Sequence, residues 1–414
     1  MGKIDRVGVY RWPIFCSLAL FVLFNFIQLN MMNVLSVYIV HMFNISALRL
    51  GFIGSAYFYT NLIFIFFSGL LLDFFSPKKL VLSAIGISLF GLVFFTVAPS
   101  ELSLIAWRLV AGITCSFSIT GSFKIIARFF SENERGLIIG LIGMIATCAG
   151  IISQLPLSYA LQNFGIKESF FIIIGIGSAS LLMVYIFVPS HFIKPAHHFF
   201  EMFRTSNKVF LNFKNWCAAL FECLVNLPLF VLGALWGSMY LIKMYHMDGN
   251  SAALIISMLF LGHMIGAPCF GWLTDRMNSR KILLLFGSGV AILSVVLINA
   301  LSFYSTTVLL LLFLLLGIST GTQIVTDAFV VGNNKDGVAR AISLLSLVSV
   351  SGGVVFQPLF GFIVQNGRTV AAGYQHAMYV LIVTSCVAFI LGLFIPNKEP
   401  LMRKGVRHGA IENV

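Results

Sequence analysis

Three ionisable side chains stand inside long apolar stretches of the chain, where charge is costly: Glu222, His263 and Asp327. Carboxylates and imidazoles that are withdrawn from bulk water can take up and release protons near neutral pH. We therefore predict that these three residues exchange protons. A structural interpretation stays open, in which Glu222 pairs with Lys124 or Arg128 and Asp327 pairs with Lys124.

Arg108 is the best single candidate for contact with an anion at membrane depth. A guanidinium holds a carboxylate or a phosphate through two parallel hydrogen bonds. The alternative is that Arg108 binds backbone carbonyls or a neighbouring helix. Further residues at similar depth are predicted to contact a solute, or else to cross-link helices: Asn25, Gln28, Tyr57, Asn61, Gln154, Asn226, Trp236, Tyr240, Gln323 and Gln357.

Membrane-spanning helices must position these residues. The chain is 59% hydrophobic and only 10% charged, whereas soluble domains are about 45–50% apolar and about 25% charged. Apolar runs long enough to cross a bilayer follow one another along the whole sequence. The predicted fold class is an all-α membrane protein with 12 transmembrane helices, which we number as spans 1 to 12: 12–40, 48–72, 80–98, 102–129, 136–161, 169–188, 216–245, 252–274, 282–301, 306–331, 338–365 and 373–395.

The 26 basic residues fall very unevenly on the two sides of such a bundle. With the N-terminus in the cytoplasm, only Arg49, Lys167, Lys243 and Arg368 lie outside, and Arg108 lies within a span. Because cytoplasmic loops carry the excess of Lys and Arg, both termini are predicted to be cytoplasmic. The net charge of +12 then follows from the topology, and nucleic acid is not an expected partner.

The longest hydrophilic segment, 189–215, is predicted to link two six-helix halves at 1–188 and 216–396, with 397–414 as a cytoplasmic tail. The His197–His198 pair in this linker is interpreted as part of a solvated loop, since no cysteine or carboxylate cluster surrounds it. The seven cysteines lie in apolar stretches and form no CxxC pair. Neither a metal, a disulfide framework nor a cofactor is expected.

Two patterns of the first half recur in the second half. The first is Gly-x-Leu-x-Asp followed by a basic pair, after spans 2 and 8, and the second is a glycine four residues before a glutamine, in spans 5 and 11. Two matches in the same order indicate a parallel internal repeat. The copies are Gly69-Leu-Leu-Leu-Asp73 and Gly271-Trp-Leu-Thr-Asp275, and Gly150-Ile-Ile-Ser-Gln154 and Gly353-Val-Val-Phe-Gln357.

On these motifs the chain resembles a member of the major facilitator superfamily over essentially its whole length. The first loop departs from the family's signature at Phe74 and Pro77, where basic residues are usual. The resemblance implies two pseudo-symmetric six-helix bundles, with spans 1, 2, 4, 5, 7, 8, 10 and 11 lining a cavity. Further matching motifs are Arg108 to Gly112 in span 4, Glu134-Arg135-Gly136 after it, and Asp275-Arg276 with Arg280-Lys281 in the second loop.

The loop motifs are predicted to form a latch between the cytoplasmic ends of the two halves. A carboxylate there can meet a helix N-terminus or an arginine of the other half, and glycine permits close helix approach. The simpler alternative is that the basic pairs only fix topology. The latch residues are Gly69, Asp73, Gly271, Asp275, Arg276 and Arg280.

The resemblance implies a secondary transporter that works by alternating access. The sequence contains no HExxH or Walker motif, so neither an enzyme nor an ATP-driven pump is expected. Span 5 lacks the Gly-Pro pattern of drug antiporters, and residues 337–358 resemble nutrient or metabolite carriers and the branch that contains lysosomal dipeptide carriers.

The predicted function is proton-coupled uptake of a small polar or anionic metabolite, such as an amino acid, a short peptide or an organic acid. An exporter of a siderophore or drug-like compound and a non-transporting nutrient sensor are the alternatives. The protein is predicted to be a monomer in a lipid bilayer, the bacterial inner (plasma) membrane.

Overall fold

The structure, a computed structural model, describes residues 5–189, 208–277, 279–300, 305–334 and 337–397. The regular secondary structure of these residues is helical, and 12 helical segments are long and apolar enough to cross a membrane. The predicted fold class is confirmed. Spans 1 to 12 are Arg11–Asn30, Ala47–Phe74, Pro77–Val97, Glu101–Phe129, Glu132–Phe164, Ile166–Phe187, Phe213–Tyr245, Gly249–Arg276, Arg280–Ala300, Thr306–Asn333, Arg340–Gln365 and Val370–Phe394.

Short polar residues define several span ends. Ser100 and Ser103 form a reciprocal capping box at the start of span 4, and Thr369 accepts a hydrogen bond from the Ala372 backbone at the start of span 12. Such caps satisfy N–H groups that the first helical turn leaves without a partner. Between the ends, the helix pairs backbone polar groups with one another, which a bilayer requires of any spanning segment.

Four spans that the sequence predicts as continuous are interrupted or change pitch. In span 7 the cause is Pro228, which lacks the N–H group that an α-helix needs at that position. The interruptions place short stretches of polar backbone inside the bundle. We count the short helix Met32–Phe43 as the continuation of span 1. The segments are Asp5–Asn30 and Met32–Phe43 for span 1, Glu132–Ile152 and Leu155–Phe164 for span 5, Phe213–Val225, the π-helix Pro228–Trp236 and Gly237–Tyr245 for span 7, and Thr306–Thr320 and Gln323–Asn333 for span 10.

Spans 1–6 and spans 7–12 form two bundles, and spans 1, 2 and 5 of the first half meet spans 7, 8 and 11 of the second. Spans 2 and 11 come so close that a Cβ at Gly51 would lie 2.7 Å from the Gln357 carbonyl oxygen. A Cβ at Gly150 in span 5 would lie 2.3 Å from the Phe260 ring of span 8. Small residues therefore determine how closely the halves approach each other.

The two sides of the molecule differ in these contacts. We call the side with the loops joining spans 2 to 3, 4 to 5, 8 to 9 and 10 to 11 the basic side, since Lys78, Arg135 and Lys281 lie there. The contacts between the halves described here run from the middle of the spans to the opposite side. On the opposite side, for example, Asn250 of span 8 donates to Gln162 of span 5 at 2.6 Å.

Equivalent glycines hold each half together internally. A Cβ at Gly112 of span 4 would lie 2.0 Å from the Tyr57 carbonyl oxygen of span 2. A Cβ at Gly317 of span 10 would lie 2.1 Å from the Leu259 carbonyl oxygen of span 8. Spans 4 and 10 occupy equivalent places in the two halves, so the backbone packing repeats the internal symmetry that the sequence motifs indicate.

The predicted linker and tail lie largely outside the described residues, as do His197 and His198. A short helix, Lys208–Leu211, precedes span 7. The predicted domain boundaries stay predictions.

We expect Gly112→Ala to destabilise the bundle by about 1–3 kcal/mol, the usual cost of forcing extra volume into a close contact. The measurement is the thermal unfolding midpoint of purified protein in detergent. Gly86→Ala in span 3 is the matched control, because a Cβ there meets no atom within 4 Å. Equal unfolding midpoints for the two variants would contradict the packing described.

Candidate functional site

Spans 7, 8 and 10 bring the three predicted proton-exchanging residues together in the second half. Glu222 and Asn226 are one turn apart on span 7, and Gln323 and Asp327 are one turn apart on span 10. His263 of span 8 joins them, and we call these five residues the polar cluster. Asn226 and Gln323 stand at the helix interruptions of their spans. Interrupted helices that carry polar residues within the membrane are typical of solute sites in transporters.

Hydrogen bonds run through the polar cluster in one direction. The Thr320 hydroxyl donates to the Gly317 carbonyl at 2.7 Å, so its oxygen accepts from His263 Nδ1 at 2.8 Å. With the proton on Nδ1, His263 Nε2 accepts from Gln323 Nε2 at 3.4 Å. Gln323 Oε1 in turn accepts from Asn226 Nδ2. Asn226 Oδ1, at the end of this chain, is buried without a partner among the described residues.

Glu222 and Asp327 form a carboxylate pair one turn nearer the basic side. Glu222 is 8% exposed, and its Oε2 atom is buried without a hydrogen-bond partner among the described residues. Asp327 lies close enough to interact with it electrostatically, and Ser349 of span 11 adjoins the Glu222 carboxylate. Lys124 instead pairs with Asp73. Within the described ranges, therefore, neither acid has the cationic partner that the structural interpretation requires.

Arg108 is enclosed within the first half. Its Nη1 atom donates to the Gln28 carbonyl at 2.7 Å and its Nη2 atom donates to the Gly54 carbonyl at 2.9 Å, while the Tyr57 ring lies 4.9 Å from the guanidinium. Arg108 is fully buried. These contacts favour the structural alternative, in which the guanidinium ties spans 1, 2 and 4 together.

Gln28, Asn25 and Asn61, which are further candidates of the first half, also bind within that half. Gln28 accepts from Trp107 at 2.8 Å and donates to Ser88 at 2.9 Å. Asn25 accepts from Thr114 at 3.1 Å, and Asn61 donates to the Gly112 carbonyl at 3.2 Å. Among the candidates of this half, two keep a buried polar atom that has no hydrogen-bond partner in the described residues. These atoms are the Tyr57 hydroxyl and Arg108 Nε.

The repeated glutamines converge on one segment, the π-helix of span 7. Gln154 Nε2 donates to the Gly233 carbonyl at 3.2 Å, and Gln357 Nε2 donates to the Phe230 carbonyl at 2.7 Å. Both glutamines are fully buried. Gln154 comes from the first half and Gln357 from the second, so equivalent residues of the two halves hold the same nine-residue helix.

Sequence reasoning missed Asn33, which links the halves most directly. Its Nδ2 atom donates to Gln154 Oε1 at 2.6 Å and to Ser238 Oγ at 2.8 Å, and its Oδ1 atom accepts from the Ser238 backbone N–H at 2.8 Å. An isolated amide within an apolar run was the available signal. We call Asn33, Gln154, Ser238, Gln357 and the π-helix the interhalf junction.

Trp236 and Tyr240 are buried in the packing of the second half. Trp236 Nε1 donates to the Gln357 carbonyl at 3.1 Å, and its ring stacks on Phe360 at 5.4 Å. The Tyr240 hydroxyl donates to the Ile298 carbonyl at 3.2 Å. These contacts of the two aromatic residues are with spans 9 and 11.

The predicted latch residues lie at the basic side but contact their own halves. Asp73 pairs with Lys124, Arg276 lies 4.3 Å from the Trp272 ring, and Arg280 donates to the Ala328 carbonyl at 3.4 Å. Asp275 is exposed. A Cβ at Gly69 would meet no atom within 4 Å, and one at Gly271 would make an ordinary contact, so neither glycine marks a close approach in this conformation.

Comparison with known proteins establishes the class. The Major Facilitator Superfamily model matches residues 16–242 and 218–410, and the chain belongs to this family of membrane transporters. Two solved structures share the fold at a TM-score of 0.74. One is a bacterial homologue of the human lysosomal transporter Spinster in an inward-facing, unoccupied conformation (16% identity, covering 93% of this chain and 97% of that one), and the other is a mutant of the nucleoside transporter NupG (13%, covering 92% and 99%).

Curated relatives match shorter segments. An uncharacterized MFS-type transporter of Mycobacterium tuberculosis is 26% identical over 38% of this chain and 28% of its own length. The uncharacterized transporter YybO of Bacillus subtilis is 24% identical over 47% of this chain and 44% of its own length. The MFS-type efflux pump elcC of Phaeosphaeria nodorum is 25% identical over 30% and 22%. The matches thus span less than half of each relative.

We expect Gln154→Leu to loosen the interhalf junction, because the Gly233 carbonyl and the Asn33 amide each lose a buried partner at about 1–3 kcal/mol. Opening on the opposite side should then increase about fivefold or more. The measurement is the rate at which an impermeant maleimide labels Ser158→Cys, a buried position of span 5, in a chain without its natural cysteines.

Asn163→Leu is the matched control, since the exposed Asn163 side chain donates only to the Tyr159 carbonyl of its own helix. An unchanged labelling rate in Gln154→Leu would show that the junction does not hold the halves together.

Proposed function

We propose that the chain is a secondary active transporter that moves a small polar metabolite by alternating access, coupled to protons through Glu222, Asp327 and His263. The observation that carries the proposal is the carboxylate pair of spans 7 and 10. Two acids at membrane depth, without a cation beside them among the described residues, are suited to take up protons. If each carboxylate were paired with a lysine or an arginine, it would not be available to take up a proton.

The position of the interhalf junction supports alternating access. Its contacts lie between the middle of the spans and the opposite side, whereas the predicted latch residues at the basic side bind within their own halves. By the distribution of Lys and Arg, the basic side faces the cytoplasm. We therefore propose that this conformation is open to the cytoplasm, and that the exposed Asp275 finds a partner in the other half when that side closes.

The surroundings of Arg108 narrow the proposed substrate class. An anionic solute would need a cation with accessible donors, but Arg108 is fully buried and both of its Nη atoms donate to backbone carbonyls, which leaves only its buried Nε atom without a partner among the described residues. The polar cluster instead offers amide and carboxylate groups. A small polar metabolite such as an amino acid or a short peptide therefore fits better than an organic acid. The two structural neighbours are named for different substrates, so the fold itself does not select one.

Direction and setting complete the proposal. Uptake follows from the resemblance to nutrient carriers, while a relative named as an efflux pump favours the exporter alternative. We propose a monomer in the bacterial inner membrane with both termini in the cytoplasm. No part of the proposal needs a cofactor, and a non-transporting nutrient sensor stays an alternative to it.

We expect Glu222→Gln to reduce solute-dependent proton movement more than tenfold, because an amide cannot carry the proton. The measurement uses purified protein in liposomes that contain a pH-sensitive dye, with amino acids, dipeptides, organic acids and amines added in turn. Solute entry without proton movement in the unmodified protein would contradict the proposal.

Asp248→Asn is the matched control. Asp248 is an exposed carboxylate of the same half on the opposite side, where it caps span 8 through the Asn250 and Ser251 backbone N–H groups at 3.1 Å each. Asparagine caps helices equally well, so this variant should retain proton movement.

A further inference from the structure

The polar cluster ends in acceptors that have no donor. Asn226 Oδ1 and Glu222 Oε2 are both buried and without hydrogen-bond partners among the described residues, and both residues are more than nine-tenths buried. They lie one turn apart on span 7. A buried acceptor that lacks a donor costs about 1–3 kcal/mol, more when it is charged. A ligand that supplies donors at this point would recover that free energy.

The orientation of the Asn226 amide follows from its neighbours. The bonds from Thr320 through His263 to Gln323 leave Gln323 Oε1 facing span 7, where it can only accept. Asn226 must therefore present its Nδ2 atom to Gln323, which turns its oxygen away from the network. The lack of a donor for Asn226 Oδ1 thus follows from four hydrogen bonds among residues of spans 7, 8 and 10.

The charges around these acceptors have one sign. Span 7 contributes Glu222 and the Cys223 thiol, span 10 contributes Asp327 and span 8 contributes His263. Span 11 contributes the Ser349 hydroxyl beside Glu222. Lys124 of the first half is held by Asp73. Acceptors with two carboxylates and no compensating cation among the described residues favour a ligand that is both a hydrogen-bond donor and positively charged.

We propose that Asn226, Glu222 and Asp327 bind the ammonium group of the transported solute, so that the substrate class is a small amine. An ammonium group offers three N–H donors. It can therefore satisfy Asn226 Oδ1 and Glu222 Oε2 together while Asp327 balances its charge. This inference rests on the proposed function, since it names the substrate of the same site.

His263 connects this site to protons. When its Nε2 atom gains a proton, that atom becomes a donor and Gln323 must turn its oxygen toward it. Gln323 Nε2 then faces span 7, and the Asn226 amide must turn so that its Oδ1 atom accepts from it, which removes the free acceptor. Protonation of either carboxylate weakens ammonium binding as well. Protons and the amine therefore compete for the cluster, and such competition produces exchange across the membrane, which favours the exporter alternative.

The test is equilibrium binding to the purified full chain in detergent without any pH gradient. The probes are putrescine and ornithine methyl ester, with adipate as the dicarboxylate counterpart of putrescine, and the readout is the shift in thermal unfolding. We expect both amines to stabilise the protein and adipate not to do so. Glu222→Gln should weaken amine binding about tenfold or more, since it removes a charged hydrogen-bond partner. Asp248→Asn should leave it unchanged.

Acidification should weaken amine binding in the unmodified chain, and His263→Gln should reduce that pH dependence. Stabilisation by adipate but not by the amines, absence of any shift with both amines, or full amine affinity in Glu222→Gln would each overturn the inference. Because the assay has no gradient, amine binding without proton movement in liposomes would instead count only against the proposed proton coupling.

Discussion

The contact between the first half and the π-helix of span 7 is the constraint on which the rest of the structure depends. Asn33 and Gln154 bind the backbone at Ser238 and Gly233, all within the buried interior. In a membrane no water can replace these partners, so each bond is costly to leave unmade. The halves are therefore held together on one side of the bilayer, and on the other side Asp73, Arg276 and Arg280 contact residues of their own halves.

Span 7 joins this junction to the polar cluster. Asn226 precedes Pro228, the first residue of the π-helix, by only two positions, and Glu222 lies one turn earlier. The same helix thus carries the acceptors of the cluster and the carbonyls that the two glutamines hold. A change in the position of span 7 would therefore alter both the polar cluster and the interhalf junction. Alternating access needs such a physical connection between the solute site and the contact of the halves.

The sequence predicted the number of spans, the two halves and the family because these depend on apolar length, charge placement and repeated motifs. It also identified Glu222, His263 and Asp327, since ionisable residues are conspicuous in apolar runs. For Arg108 the sequence left open whether the guanidinium contacts an anion or binds backbone carbonyls. The positions of the Gln28 and Gly54 carbonyls, which only the structure gives, favour the second alternative.

The helix interruptions and Asn33 were not predictable in the same way. The interruption of span 5 at Gln154 does have a local signal, since Pro156 stands in the first turn of the helix that follows, but the bonds of Gln154 to other spans could not be read from it. Pro228 was visible, but the π-helix that follows it depends on partners from both halves. The close glycines are likewise set by which spans cross, so Gly112 was noticed only as part of a motif, and Gly69 was assigned a close approach that this conformation lacks.

Alternating access is tested most directly by measuring distances on both sides of the membrane in the same protein. Spin labels at Asn163 and Lys243 report the opposite side, and labels at Leu137 and Ile282 report the basic side, all at exposed positions. Pulsed electron spin resonance in lipid nanodiscs would compare acidic and alkaline buffers. We expect reciprocal changes, in which one distance lengthens as the other shortens. Distances that stay fixed, or that lengthen together, would contradict the account.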